Sequence, residues 1–361
     1  MLSKPIDPIT TGPMNSRSLI RYILYIIIFL LLLAGVKFTS VYKQVYSPNI
    51  HTPDRKTLYL FIPTGSTYKD VLDIVYNKKL VKNRKSFEWV AKRKKYDTRI
   101  HPGRYRVEHN MSNSAFINML RSGIQEPVDV VINNIRTKGE LARRLSGQIE
   151  PDAAELLGIM NDTEFIGKYG FNKYTILCMF LPNTYEFWWN TSATEVFERM
   201  HREYEKFWNN QRLNKARDLN LSPNEVITLA SILINETNRE DEYARMAGVY
   251  INRLNKGIKL QADPTVKYAL GDFDKQRILK KDIQVNSPYN TYIHPGLPPG
   301  PIALPSIRAI DAVLNCEKHD YLFFCAKEDF SGYHNFARTL SQHNKNARLY
   351  QNSLNRRNIL K

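Results

Sequence analysis

Cysteine is scarce: three residues in a chain of 361 exclude a disulfide-stapled scaffold. Glycine (16) and proline (18) are too few for a collagenous or low-complexity chain. Acidic residues are in deficit, 35 against 52 lysines and arginines, for a formal charge of +17. That imbalance points first to a polyanionic partner, nucleic acid being the common case. The sequence has no HExxH, no clustered histidines and no Gly-rich phosphate loop, so neither metal nor nucleotide chemistry is indicated, and no cofactor is expected. No internal repeat is visible. What is present is ordinary: 43% hydrophobic and 24% charged residues can build a packed core, and the length suggests two or three domains of ~150 residues.

One long apolar run exists, and no second. Tyr22 to Val36 carries no charge, and Leu19 to Phe38 gives twenty residues with Arg21 and Lys37 near the ends. At 1.5 Å per residue, such a helix spans ~30 Å, the thickness of a bilayer core. The following AGVKFTS is a poor signal-peptidase site and there is no lipobox cysteine, so an uncleaved anchor at 19–38 is expected behind a cytoplasmic tail at 1–18. Basic residues nearly balance across the span, and the short tail ahead of a long body favours translocation of the body.

Residues 39–56 read as a stalk. From Thr57 the pattern turns globular: Leu58–Ile62 alternates as a strand, a turn at 63–67 supplies a helix cap, and helical spacing follows. Further helices are expected at Ser86–Lys94 and Ser114–Leu120, with a strand at Gly103–Val107 between them. From Lys78 to Arg106 there are twelve Lys/Arg and two Asp/Glu. This basic stretch can face an anionic polymer or membrane, or be a solvated surface. Behind the anchor, nucleic acid is not an expected partner. Residues 126–219 read as a strand, Val128–Ile132, and then mainly helices. The aromatic run TYEFWW at 184–189 suits either a sugar platform or a core.

The chemical centre lies at 221–306. LSPNEVITLASILINE (221–236) opens with a capping box, Ser222 and Glu225, and is apolar almost all round, hence a buried helix. Glu236 at its end is either a surface residue or a desolvated general acid. The next helix, Glu240–Lys256, carries an apolar stripe through Tyr243, Met246, Tyr250 and Leu254, with Asn252 and Arg253 beside it. Gln261 and Asp263 precede Pro264 and are expected to be extended. The Pro-rich stretch 286–306 presents Ser287, Tyr289, Asn290, Thr291 and Tyr292, either to a carbohydrate groove or as plain structure.

ILINETN, YINRLNKGIKLQADPTVKYAL, SPYNTYIHPGLPPGPIALPS and YLFFCAKEDFSGYHNFARTLSQHN together resemble the endolytic murein transglycosylase family, MltG or YceG-like. The resemblance covers roughly 55–350 and implies an α+β protein: one transmembrane helix, a small LysM-like α+β module at 57–125, and a larger YceG-like α+β catalytic domain at 126–361. It implies a single-pass protein of the cell (inner) membrane, its catalytic domain on the extracytoplasmic side. It would cut nascent peptidoglycan glycan strands internally, beside peptidoglycan synthases. On the family motifs Glu236 is catalytic, and Asn252, Arg253, Gln261, Asp263, Ser287, Tyr289, Asn290, Thr291 and Tyr292 contact the glycan. Asp263 or Glu240 as a second carboxylate would make the enzyme a hydrolytic muramidase. A non-catalytic, membrane-anchored glycan-binding scaffold is the reading from another class.

Overall fold

The computed structural model describes residues 16–275 and 277–357. The first fifteen residues, most of the expected cytoplasmic tail, lie outside them. The chain divides into two compact units, the first ending at Glu126 and the second starting at Pro127. Both mix helices with small antiparallel sheets.

The first unit begins with α1 (Ser16–Tyr46), whose span Leu19–Tyr46 is long and apolar enough to cross a membrane. Then come β1 (Leu58–Ile62), α2 (Tyr68–Asn77), α3 (Arg84–Arg93), β2 (Gly103–Val107) and α4 (Asn113–Ser122). Strands β1 and β2 pair antiparallel, Leu58 opposite Val107. Their inward residues Leu60, Ile62 and Tyr105 pack on Val71, Val75, Phe87 and Phe116 from the helices. Helix α2 starts at a capping box formed by Thr67 and Asp70, and α4 stops at Gly123 in the left-handed region (φ 68°).

The stalk expected at 39–56 is not one. Helix α1 continues to Tyr46, where Val45 packs on the unit's core. Pro48 bridges to Ser112 and Ile50 to Val81, and Ile50 is fully buried. Widely spaced apolar residues in a polar stretch anchor the chain as a strand or helix face would, without giving a periodic signal.

The second unit runs β3 (Val128–Ile132), α5 (Lys138–Ser146), α6 (Ala153–Asn161), α7 (Thr163–Gly167), β4 (Asn183–Phe187), α8 (Ala193–Phe207), α9 (Asn210–Asp218), α10 (Pro223–Glu236), α11 (Tyr243–Asn255), α12 (Asp263–Leu270), α13 (Ile307–Leu314), β5 (Phe323–Ala326), β6 (His334–Ala337) and α14 (Leu340–Arg356). Helix α10 is its axis. Residues 226–233 are all buried, and α11, α12 and α13 pack around them. The Ser222–Glu225 capping box starts α10, and Pro223 sits in the first turn, where its missing N–H costs nothing.

The Pro-rich stretch is mostly structural in its second half. Ile302, Ala303 and Leu304 are buried, and the Ile302 N–H donates to Ser231 Oγ on α10 at 3.0 Å. In TYEFWW, strand β4 turns Tyr185 and Phe187 inward and leaves Trp188 51% exposed. Hairpin β5–β6 and α14 form the thinnest layer: only Ala337 of the two strands is buried, and no residue of α14 is.

Helix α11 approaches the chain at 317 closely. A Cβ at Gly248 would stand 2.4 Å from the Glu317 carbonyl oxygen. Gly248→Ala is therefore expected to lower stability by about 2 kcal/mol, read as a reduced urea midpoint at unchanged slope.

Candidate active site

Glu236 is the last residue of α10, and the turn after it returns the chain as α11. Two turns of the apolar stripe later, the Tyr250 hydroxyl donates to Glu236 Oε1 at 2.7 Å. The two side chains share the wall of a cavity of about 340 Å³ with Arg253, Gln261, Asp263, Tyr292, Phe323 and His343. Leu260, Phe324 and Leu340 complete the lining.

Desolvation at this wall pushes the Glu236 carboxyl up to about 7, against the lowering effect of the Tyr250 hydrogen bond; Asp263 raises it further and Lys267 lowers it. The helix position acts in the same sense as burial, because the negative end of the α10 dipole opposes a carboxylate. Asp263 opens α12, and its Oδ1 accepts from the Tyr292 hydroxyl at 2.6 Å. One carboxyl is thus held ready to give a proton near neutral pH, and another lines the same space.

Arg253 ties the floor together. Its guanidinium donates to Lys259 O at 3.0 and 2.8 Å, to Leu322 O at 3.1 Å and to Gln261 Oε1 at 2.6 Å. Gln261 takes a left-handed backbone (φ 52°), clamped by its N–H to Thr291 O. Of the extended backbone expected before Pro264, only Ala262 is extended; Gln261 and Asp263, the residues for which it is expected, are not. Asp263 starts a helix, and Pro264 is tolerated in its first turn because no acceptor waits there for an N–H.

The YceG-like family profile matches residues 60–349. The chain belongs to the YceG-like family. An endolytic murein transglycosylase of Bacillus subtilis (strain 168) is 28% identical over 331 residues, 87% of this chain and 90% of that one. An endolytic murein transglycosylase of Streptococcus pneumoniae (strain D39) is 27% identical over 364 residues; the match takes in 92% of this chain but 65% of that longer protein. A crystal structure of a YceG-like protein from Listeria monocytogenes superposes with a TM-score of 0.51 at 30% identity, over 81% of this chain and 99% of that one.

In this YceG-like chain, only part of the expected glycan-contacting set surrounds Glu236. Arg253, Gln261, Asp263 and Tyr292 line the cavity; Asn252, Ser287, Tyr289, Asn290 and Thr291 do not. Their polar groups serve the backbone and neighbouring side chains instead. Asn252 donates to the His319 and Tyr321 carbonyls (2.7 and 3.0 Å). Asn290 is fully buried and donates to Ile283 O and Val285 O (2.9 and 2.8 Å). Thr291 Oγ1 accepts from Ala262 N, and Ser287 Oγ from Tyr289 N. The Tyr289 ring packs on Tyr268 with centroids 4.6 Å apart. Glu240 is directed elsewhere, paired with Arg308.

Sequence reading missed Tyr250, Phe323, Phe324 and His343 as site residues. Tyr250 was legible only as one member of an apolar stripe. His343 stacks on Phe323, and burial together with nearby Arg253 lowers its pKa, so a neutral imidazole faces the cavity. No group of three or more His, Cys, Asp or Glu is placed to hold a metal among the described residues. Cys178 is buried, and burial pushes the thiols of Cys178, Cys316 and Cys325 up, which disfavours a nucleophilic thiolate.

Tyr250→Phe removes the one hydrogen bond that lowers the Glu236 pKa. The alkaline limb of the pH–rate profile is expected to move upward from about 7. A purely structural role would lower the rate at every pH and leave the limb in place.

Proposed function

We propose that this YceG-like chain is a lytic transglycosylase that cuts peptidoglycan glycan strands internally, with Glu236 as its single acid–base group. The observation that carries this reading is the carboxyl itself: poised near 7, bonded to Tyr250, and open to a cavity with a polar floor. Protonated Glu236 donates to the glycosidic oxygen as the MurNAc C1–O bond breaks. The carboxylate left behind takes the proton of the MurNAc C6 hydroxyl, whose oxygen bonds to C1. The product end is 1,6-anhydro-MurNAc, and no water is consumed. The internal nucleophile replaces a second carboxylate by proximity. Arg253, Gln261 and Tyr292 bind and orient the sugar. The names borne by the Bacillus and Streptococcus relatives support this activity.

Helix α1 serves as a single-pass anchor that holds both units on the extracytoplasmic side, where nascent strands are made and their length is limited beside the synthases. Within the first unit, residues 57–125 are the LysM-like module of this arrangement.

Asp263 in the same cavity favours one other reading, a muramidase in which it activates water. Digestion of sacculi by the full chain, followed by mass spectrometry of the released muropeptides, separates the two. Anhydro ends are expected. Reducing ends would assign the reaction to hydrolysis, and glycan retention without cleavage would leave a non-catalytic scaffold.

A further inference from the structure

The first unit contains a second polar cavity, remote in sequence from Glu236 and unused by its chemistry. It measures about 220 Å³ and is lined by Lys43 and Gln44 in the last turn of α1, by Ser47, Pro48 and Asn49 just after it, and by Asn83, Ser86 and Asn113 from the module. Its inner wall is rigid. Asn49 Nδ2 donates to Asn113 Oδ1 at 2.7 Å, Asn113 Nδ2 to Ser86 Oγ at 3.1 Å, and Asn113 Nδ2 also to the Gln44 carbonyl of α1 at 2.9 Å. Asn49, Ser86 and Asn113 are all buried. The network fixes the module to the end of the apolar helix rather than leaving it on a tether.

Position and charge then point to the occupant. If the apolar core ends near Phe38, Lys43 lies about 8 Å further along the helix axis, at the depth of lipid headgroups. No carboxylate lines the cavity. Exposed Lys82 and Lys85 flank Asn83 and Ser86, and no acidic residue occurs between Asp73 and Glu88. Asn49, Ser86 and Asn113 spend their donors within the network, so the side-chain amides of Gln44 and Asn83 and the Ser47 hydroxyl, backed by the lysines, are the groups that suit a phosphate. We propose that this cavity and its lysine rim bind the phosphate of an anionic phospholipid headgroup, so that the lipid orients the first unit at the membrane surface. The proposal rests on reading α1 as a membrane anchor.

The test uses the full chain in vesicles of phosphatidylcholine alone and in vesicles containing one-third phosphatidylglycerol. Amide hydrogen exchange at residues 47–49 and 82–86 is expected to slow in the anionic vesicles, and high salt should reverse the effect. Replacing Lys43 and Lys82 by Glu should reduce that protection about tenfold or more, while Lys206→Glu on the second unit should not. Equal exchange in the two vesicle types, or protection that survives the double variant, would overturn the proposal. Equal protection by inorganic phosphate or soluble polyphosphate in neutral vesicles would also overturn it, by assigning the site to a soluble anion. Alkaline carbonate extraction keeps the two readings apart. A chain washed off the vesicles removes the anchor and this proposal with it; a retained chain without lipid dependence removes this proposal alone.

Discussion

Glu236→Gln is expected to lower glycan cleavage by about a thousandfold or more while leaving the fold intact. The amide keeps the shape of the side chain and can still meet the Tyr250 hydroxyl, but it has no proton to give at the glycosidic oxygen. The same variant should be more stable than the parent in alkaline buffer. The Glu236 carboxyl rises from 4.5 to about 7 on folding, so between those values the folded state holds more protons than the unfolded one. Stability from this group is full below about 4.5 and is lost as pH rises through about 7. Glutamine abolishes that loss. Because Glu236 is partly open to the cavity, the gain should be about 2 kcal/mol near pH 8 and should vanish in acid. Calorimetric melting of both proteins across that range measures it. Activity follows the same titration, falling as the acid form disappears above about 7. Persistence of cleavage in the glutamine variant would remove Glu236 from its role.

Arg253→Ala should be the most damaging change outside Glu236, and its damage should appear in stability as well as rate. The guanidinium is buried and holds three pieces of chain: the loop at Lys259, the side chain of Gln261 and the carbonyl of Leu322. Alanine leaves those acceptors without donors in a dry setting and opens a void. A loss of about 3 kcal/mol is expected from urea unfolding, with cleavage reduced further than the folded fraction explains. Arg253→Lys should recover less than half, because one ammonium cannot reach acceptors set in different directions. Parent-like stability in Arg253→Ala would show that the loop and β5 are held by other contacts.

Some of this site can be read from residue order, and the reasons are local. The α10 capping box, the unbroken apolar surface behind it and the carboxylate at its end are all contiguous, so the buried helix and its terminal Glu236 follow from spacing. Strands β1 and β2 start and end where alternation starts and ends. What spacing does not carry is where a small polar side chain finds its partner. Asn290 and Thr291 look like sugar ligands in sequence, yet Asn290 donates to Ile283 O and Val285 O and accepts from Tyr292 N, and the Thr291 hydroxyl accepts from Ala262 N and bonds the Thr265 hydroxyl. Asp263 precedes a proline, which predicts extended chain, but the proline fits the first turn of α12. Tyr250 reaches Glu236 only once two helices are packed, and Phe323 and His343 arrive from the far end of the chain.

The thin layer of β5, β6 and α14 gives the cavity unequal sides. Glu236 and Tyr250 stand on helices α10 and α11, most of whose residues are buried. Phe323, Leu340 and His343 stand on a layer with almost nothing sealed from water. Local opening free energy tracks such burial. The wall that carries Glu236 is therefore expected to hold its shape while the wall that carries His343 opens more readily, a difference that amide exchange along α10 and α11 against α14 would read.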